Sequence, residues 1–189
     1  MKFLACLFLF LVTFLVFPER SFANLTHRLV VDVRHQEMIV YANEVAIRKY
    51  PVSTSMFGIG DSRGSYTTPS GLFKVKEKIG TGLPLGAVFK SRQPTGEVLS
   101  VNARGRDPVV TRILWLQGAE AQNSQAYNRF IYIHGTPQEK NIGRPASYGC
   151  IRMRSRDVME LYDIVGVGTT VEIKANGAPR PTAHILRGT

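Results

Sequence analysis

Apolar and polar positions change over in short runs along most of the chain. Arg28 to Val33, Met38 to Tyr41 and Val45 to Ser53 are rich in β-branched and aromatic residues. Arg34-His35-Gln36-Glu37 and Ala42-Asn43-Glu44 separate them. Short extended runs joined by polar turn formers predict an antiparallel meander. Gly58 to Tyr66 is too polar and too glycine-rich for a core element. Thr68-Pro69-Ser70-Gly71 reads as a turn, and Leu72 to Lys76 alternates as a strand does. Val98 to Val101, Val109 to Leu116, Phe130 to Ile133 and Thr169 to Ile173 are further strand candidates. One stretch has helical spacing instead. Val158, Leu161, Tyr162 and Val165 share a face, Ser155 stands ready as cap, Asp157 suits the first turn, and Gly166 and Gly168 can end it. The predicted class is mostly β, a mixed β-sandwich with one or two helices.

The two ends break this pattern. Lys2 is followed by an apolar run from Phe3 to Phe17, then Pro18 and Ser21-Phe22-Ala23. A charged start, an apolar stretch and small residues at a cleavage site describe a secretory signal, with residues 1–23 removed. The run falls short of the about 20 residues of a membrane-spanning helix, so no stable membrane insertion is expected after cleavage. An uncleaved N-terminal anchor is the competing reading. Residues 176–189 carry two prolines and little apolar periodicity, and read as a tail or strap. Residues 24–175 form the single expected domain.

Charge narrows the partners. The chain carries a net charge of +10, and cleavage after Ala23 removes Lys2, Arg20 and Glu19, one positive unit on balance. A basic exported protein is drawn to polyanions: nucleic acid, anionic lipid or a bacterial wall. The cations are scattered, with no aromatic-interleaved basic motif of a single-strand binder, so nucleic acid is not the expected partner.

The chain has two cysteines, and Cys6 lies inside the signal. Cys150 is therefore left without an intramolecular partner, and an odd thiol on an exported chain is either paired between chains or kept for reaction. A thiol attacks a carbonyl as thiolate, which requires a base or nearby positive charge. His134, in Ile133-His134-Gly135-Thr136, follows an apolar strand and can face a cleft. Arg144, Arg152, Arg154 and Arg156 bring positive charge, and Arg152 shares a strand face with Cys150. Gly149 frees the backbone before the thiol, the Gly149 and Cys150 amides are oxyanion donors, and Ser147 can hydrogen-bond backbone or substrate. Taken singly, a buried apolar cysteine, a structural histidine and a solvated arginine explain each residue. Together on an exported chain they favour chemistry.

Other chemistries fit less well. Structural zinc takes four closely spaced ligands, whereas the histidines of the mature chain (His27, His35, His134, His184) and its one cysteine are not at ligand spacing. There is no Gly-x-Ser-x-Gly elbow and no phosphate-cradling loop, and Gly58-Ile59-Gly60 has no helix after it. No metal and no cofactor are expected.

The stretch from His134 to Met153, His-Gly-Thr through Ser147-Tyr148-Gly149-Cys150-Ile151-Arg152, resembles the catalytic signature of the L,D-transpeptidase catalytic domain (YkuD-like) family. Thr68-Pro69-Ser70-Gly71-Leu72-Phe73 and the opening strands from Leu29 are similar to that domain's segments too, so the resemblance runs from about Leu29 to Ile173. It implies an exported enzyme of peptidoglycan biosynthesis and cell wall organisation. Cys150 would be the nucleophile and His134 the base. Gly135, Ser147, Tyr148, Gly149 and Arg152 would shape the substrate and oxyanion site. The thiolate would attack the third residue of a donor stem peptide, release D-Ala, and pass the acyl group to an amine of a second stem; carbapenems would acylate the same cysteine. Basic single-domain relatives of this kind point to the periplasm.

Tyr148 departs from the family, which has histidine there. Tyrosine cannot serve as a base near neutral pH, so proton transfer falls to His134 alone. Two other functions stay open on the sequence: an L,D-carboxypeptidase or peptidoglycan hydrolase using water as acceptor, and a catalytically silent wall-binding protein. Gly58 to Tyr66 and Gly80 to Gly86 are both candidates for a lid.

Overall fold

The computed structural model describes residues 26–177. The predicted signal, 1–23, and all but the first two residues of the predicted tail lie outside them. Ten strands form one continuous mixed sheet: β1 (His27–Asp32), β2 (Glu37–Ala42), β3 (Val45–Pro51), β4 (Gly71–Ile79), β5 (Ala87–Lys90), β6 (Gln93–Val98), β7 (Val110–Gly118), β8 (Tyr132–Gly135), β9 (Ile151–Met153) and β10 (Thr170–Lys174). Among the described residues the single α-helix, α1 (Ser155–Ile164), precedes β10, and 3-10 turns occupy Ala121–Asn123 and Glu139–Asn141.

The order is β3-β2-β1-β10-β4-β7-β5-β6, with β8 branching from β7 and β9 added beyond β8. The predicted meander is present as β1–β2–β3, antiparallel throughout. β10 returns parallel to β1, and β9 runs parallel to β8. The branch at β7 folds the sheet over, so that Leu29, Val31, Met38 and Val40 from one wing meet Leu114, Leu116, Ile133 and Ile151 from the other. This is the sandwich-like core. Val158, Leu161 and Tyr162 of α1, with Val165 at its C-cap, close it, as their spacing predicts. Val30, Ile39, Tyr41 and Ala46 form a small cluster on the outer face of the meander. Arg28 covers it, its guanidinium 4.0 Å from the Tyr41 ring centre.

Several sequence expectations are corrected. Val98 to Val101 is not a strand: Val98 ends β6 and Val101 lies in a turn. β6 is an exposed edge strand, Gln-Pro-Thr-Gly-Glu-Val, whose polarity hides it from a pattern of apolar alternation. The strand expected at Phe130 to Ile133 begins two residues later, because Phe130 has φ +58° and closes a turn with its N–H on the Tyr127 carbonyl. His134 therefore lies within a strand, not after one. Ser155 does not cap α1. Arg154 holds that position, the Ser155 N–H donates to the Glu139 carboxylate at 2.8 Å, and the Ser155 hydroxyl accepts from Thr111. The carboxylate comes from across the fold, where no local pattern could reveal it.

Candidate active site

β8 and β9 build the site. Their register pairs Ile133 with Ile151 and His134 with Arg152. Side chains alternate across a strand, so Ile133 and Ile151 enter the main core while Tyr132, His134, Cys150 and Arg152 share the other face. There Cys150 packs against a second cluster of Phe89, Ile113, Trp115 and Tyr132. The alternation thus gathers Cys150, His134 and Arg152 on one face of the sheet.

The thiol is held by backbone. Cys150 Sγ donates to the Phe130 carbonyl at 3.3 Å and accepts from the Tyr132 N–H at 3.4 Å. Cys150 keeps an opening to solvent, but its sulfur is largely enclosed. Lost hydration pushes the thiol up to about 11, against the opposing pull of the Tyr132 N–H and the positive charges of Arg152 and Arg129. His134 is buried, 4% exposed. Burial pushes its imidazole down to about 4, the Gly135 carbonyl opposes this, and Arg152 adds to it. At neutral pH the pair is therefore a neutral thiol and a neutral imidazole. His134 Nδ1 lies 2.8 Å from the Gly135 carbonyl, an oxygen that can only accept. Nδ1 therefore carries the proton, and Nε2 is the basic nitrogen.

The turn before the thiol is fixed from within. Ser147 is fully buried; its Oγ donates to the Cys150 carbonyl at 2.6 Å and accepts the Gly149 N–H at 3.2 Å. Ser147 thus shapes the turn before Cys150 from inside. Gly149 has φ +120°, and a Cβ there would sit 3.2 Å from the Thr67 carbonyl and 3.3 Å from Ile131 Cδ1. Thr68 Oγ1 donates to the Gly149 carbonyl at 2.9 Å and accepts the Ser55 N–H, so the Thr-Pro segment braces this turn. Gly135 is set by another close approach: a Cβ would meet the Val110 carbonyl at 2.7 Å, where β7 bulges between Val110 and Ile113.

Arg152 is occupied. Its guanidinium binds Asp107 at 2.7 Å and the Ala146 carbonyl at 2.9 Å, while Asp107 also accepts from Thr136. Sequence reading missed Asp107, which lies in a polar loop without a motif. It also missed Arg129, which anchors the Gly58–Tyr66 loop through Asp61 at 2.7 Å and the Thr67 carbonyl at 2.7 Å. That loop is pinned at its base. Its two ends join an exposed aromatic cluster: Tyr148 lies 5.6 Å from Phe57, just before the loop, and 5.9 Å from Tyr66, its last residue, between ring centres. Tyr148 is 59% exposed. It lines, with Met56, Asp107, Arg144 and Arg152, a cleft of about 690 Å³ beside the Cys150 turn. Among the described residues, no group of three His, Cys, Asp or Glu side chains could hold a metal, and no helix is long and apolar enough to cross a membrane.

Comparison with known proteins agrees with this geometry. The profile of the L,D-transpeptidase catalytic domain matches residues 26–173. The Bacillus licheniformis protein YkuD is 39% identical over 83 residues, covering 44% of this chain and 46% of its own. The Escherichia coli K12 protein YbiS is 27% identical over 177 residues, covering 86% of this chain and 54% of its own. Both are named as L,D-transpeptidases, and this chain spans about half the length of each. Among solved structures, an L,D-transpeptidase from Mycobacterium smegmatis shares the fold at a TM-score of 0.52 and 20% identity, over 80% of this chain and 59% of that one.

Proposed function

The chain belongs to the L,D-transpeptidase catalytic domain family, and on that premise we propose that it is an exported cysteine L,D-transpeptidase acting on peptidoglycan stem peptides. The observation that carries this reading is the pairing on one sheet face of a backbone-held thiol and a buried neutral imidazole whose Nε2 is basic.

In this mechanism the donor carbonyl settles over Cys150 and the thiol proton passes to His134 Nε2 as sulfur attacks. The C–S bond forms, the carbonyl π electrons move to oxygen, and the oxyanion takes donors from the turn, the Cys150 amide foremost because the Gly149 N–H already faces Ser147. On collapse the C–N bond breaks and His134 returns the proton to the departing D-Ala amine. An acceptor amine then attacks the thioester, gives its proton to His134, and the thiol is restored. Both groups start neutral, so attack and proton transfer are coupled rather than preceded by a standing thiolate. Arg152, fixed by its ion pair with Asp107, lines the cleft as an oriented hydrogen-bond donor. Tyr148 stands at the rim with Phe57 and Tyr66, a position suited to substrate contact and not to proton transfer.

The test is turnover of a purified disaccharide tetrapeptide with a labelled amine present or absent. Wild type is expected to release D-Ala and incorporate the amine, with Cys150→Ala and His134→Ala at least a thousandfold slower. D-Ala release without incorporation would make water the acceptor and the enzyme an L,D-carboxypeptidase. Unchanged turnover in His134→Ala would remove the base assignment.

A further inference from the structure

Two arginines act on the thiol, and both are ion-paired: Arg129 with Asp61 and Arg152 with Asp107. Arg92 differs. It sits in the two-residue turn between β5 and β6, where Ser91 has φ +49° and Arg92 φ +68°. Two successive left-handed residues make a tight hairpin turn that fixes the direction in which Arg92 leaves the sheet. Its guanidinium carbon stands 4.7 Å from the Trp115 ring centre and 5.1 Å from that of Phe130. Burial raises the pKa of the Tyr132 hydroxyl, and Arg92 opposes that rise.

Those aromatic residues are the ones that hold the nucleophile. Phe130 supplies the carbonyl that accepts from Cys150 Sγ, and Tyr132 the N–H that donates to it. Trp115 packs edge-on to Tyr132 at 5.5 Å and stacks on Tyr127 at 4.1 Å. Glu77, an acid that acts on this shelf, is bound by the Tyr127 hydroxyl at 2.5 Å. Among the described residues no carboxylate pairs with Arg92. A half-buried guanidinium lying on aromatic faces has lost much of its hydration, while the N–H donors at its edge stay in their fork. That arrangement is matched to a planar carboxylate brought by a ligand.

We propose that Arg92 and the Trp115–Phe130–Tyr132 shelf form the carboxylate receptor of the substrate site, binding a carboxylate of the stem peptide that Cys150 attacks. The inference rests on the function proposed above. Two carboxylates have this chemistry: the donor's C-terminal group, one residue beyond the bond broken, and one on the side chain of the residue attacked.

The test compares wild type, Arg92→Gln and Arg92→Lys on three synthetic tetrapeptide donors: the free acid, its C-terminal carboxamide and its side-chain carboxamide. Wild type is expected to lose tenfold to a hundredfold in kcat/KM on one of the two amides, which identifies the carboxylate. Arg92→Gln should cut turnover of the free acid and bring that preference to within about threefold. Arg92→Lys should keep part of it, because charge survives but the fork does not. The rate of Cys150 alkylation by iodoacetamide should stay the same, since the charges that act on the thiol are Arg152 and Arg129. A merely structural Arg92 would instead slow all three donors alike. Equal treatment of acid and amides by wild type, or a preference undiminished in Arg92→Gln, would overturn the proposal. If wild type turns over none of the donors, the transpeptidase reading falls. Calorimetric binding of the three peptides to Cys150→Ala, with and without Arg92→Gln, then decides the receptor by itself.

Discussion

Replacing Asp61 by alanine should weaken the fold far more than loss of a surface ion pair would. Arg129 and Asp61 are 7% and 8% exposed, 2.7 Å apart. The same guanidinium donates to the carbonyls of Gly60 at 3.1 Å and Thr67 at 2.7 Å, and the other Asp61 oxygen accepts the Gln125 N–H at 2.8 Å. Truncating the acid leaves a buried cation with neutral acceptors only. Breaking such a pair costs about 3–5 kcal/mol, because the surviving charge has neither partner nor water. With a urea slope of about 2 kcal/mol per molar, the unfolding midpoint should fall by roughly 1.5–2.5 M. The double variant Asp61→Leu/Arg129→Met removes both charges and should regain about half of the loss, the shortfall being the Gly60 and Thr67 carbonyls left without a donor. The exposed Arg28–Glu44 pair is the control: Glu44→Ala should leave the midpoint in place. The assay is urea denaturation followed by tryptophan fluorescence and far-UV circular dichroism together. A midpoint shift under about 0.3 M for Asp61→Ala, or a double variant no better than the single one, would refute the reasoning.

Three further outcomes follow from the same geometry. Gly149→Ala forces a Cβ onto a backbone with φ +120° and against the Thr67 carbonyl; it should cost roughly 1–3 kcal/mol in a urea melt and slow Cys150 acylation at least tenfold. His134 is kept neutral by burial, with its pKa lowered from 6.5 to about 4. The unfolded chain takes up that proton first, so the contribution is complete above about pH 6.5 and lost as pH falls to about 4, some 3 kcal/mol in all. Urea midpoints across that window should drop steeply for wild type and more gently for His134→Gln; parallel curves would contradict the burial argument. Glu139→Ala removes the carboxylate that caps α1 and should cost about 1 kcal/mol, while Ser155→Ala, which leaves that bond in place, should not lose the cap.

The legible parts of the molecule are those set by short-range pattern. The meander shows in alternating β-branched residues, and α1 in the spacing of Val158, Leu161, Tyr162 and Val165. The pair Cys150 and His134 stands out because the start of the chain reads as an export signal, which would leave one unpaired thiol in need of a base. β6 escaped because an edge hairpin needs no apolar alternation. β8 was misplaced by two residues because a left-handed Phe130 continues an apolar run while ending the extended backbone. The partners that define the site are long-range. Asp107 meets Arg152, Asp61 meets Arg129 and Glu139 meets Ser155 across loops whose sequence is merely polar. Ser147 shows the limit of motif reading in another way. It lies in the signature and beside the nucleophile, yet it is turned inward to hold the Cys150 carbonyl. A motif gives proximity along the chain, and only the register of β8 on β9 gives orientation.

The proposed mechanism requires Cys150 to be acylated with His134 as its base. Intact-protein mass spectrometry after mixing the purified chain with a carbapenem, followed by peptide mapping, tests this most directly. The expected result is one adduct of the drug's mass, confined to the peptide carrying Cys150, formed at least a hundredfold more slowly in His134→Ala and absent in Cys150→Ala. An unmodified wild-type protein, or an adduct that persists in Cys150→Ala, would contradict it.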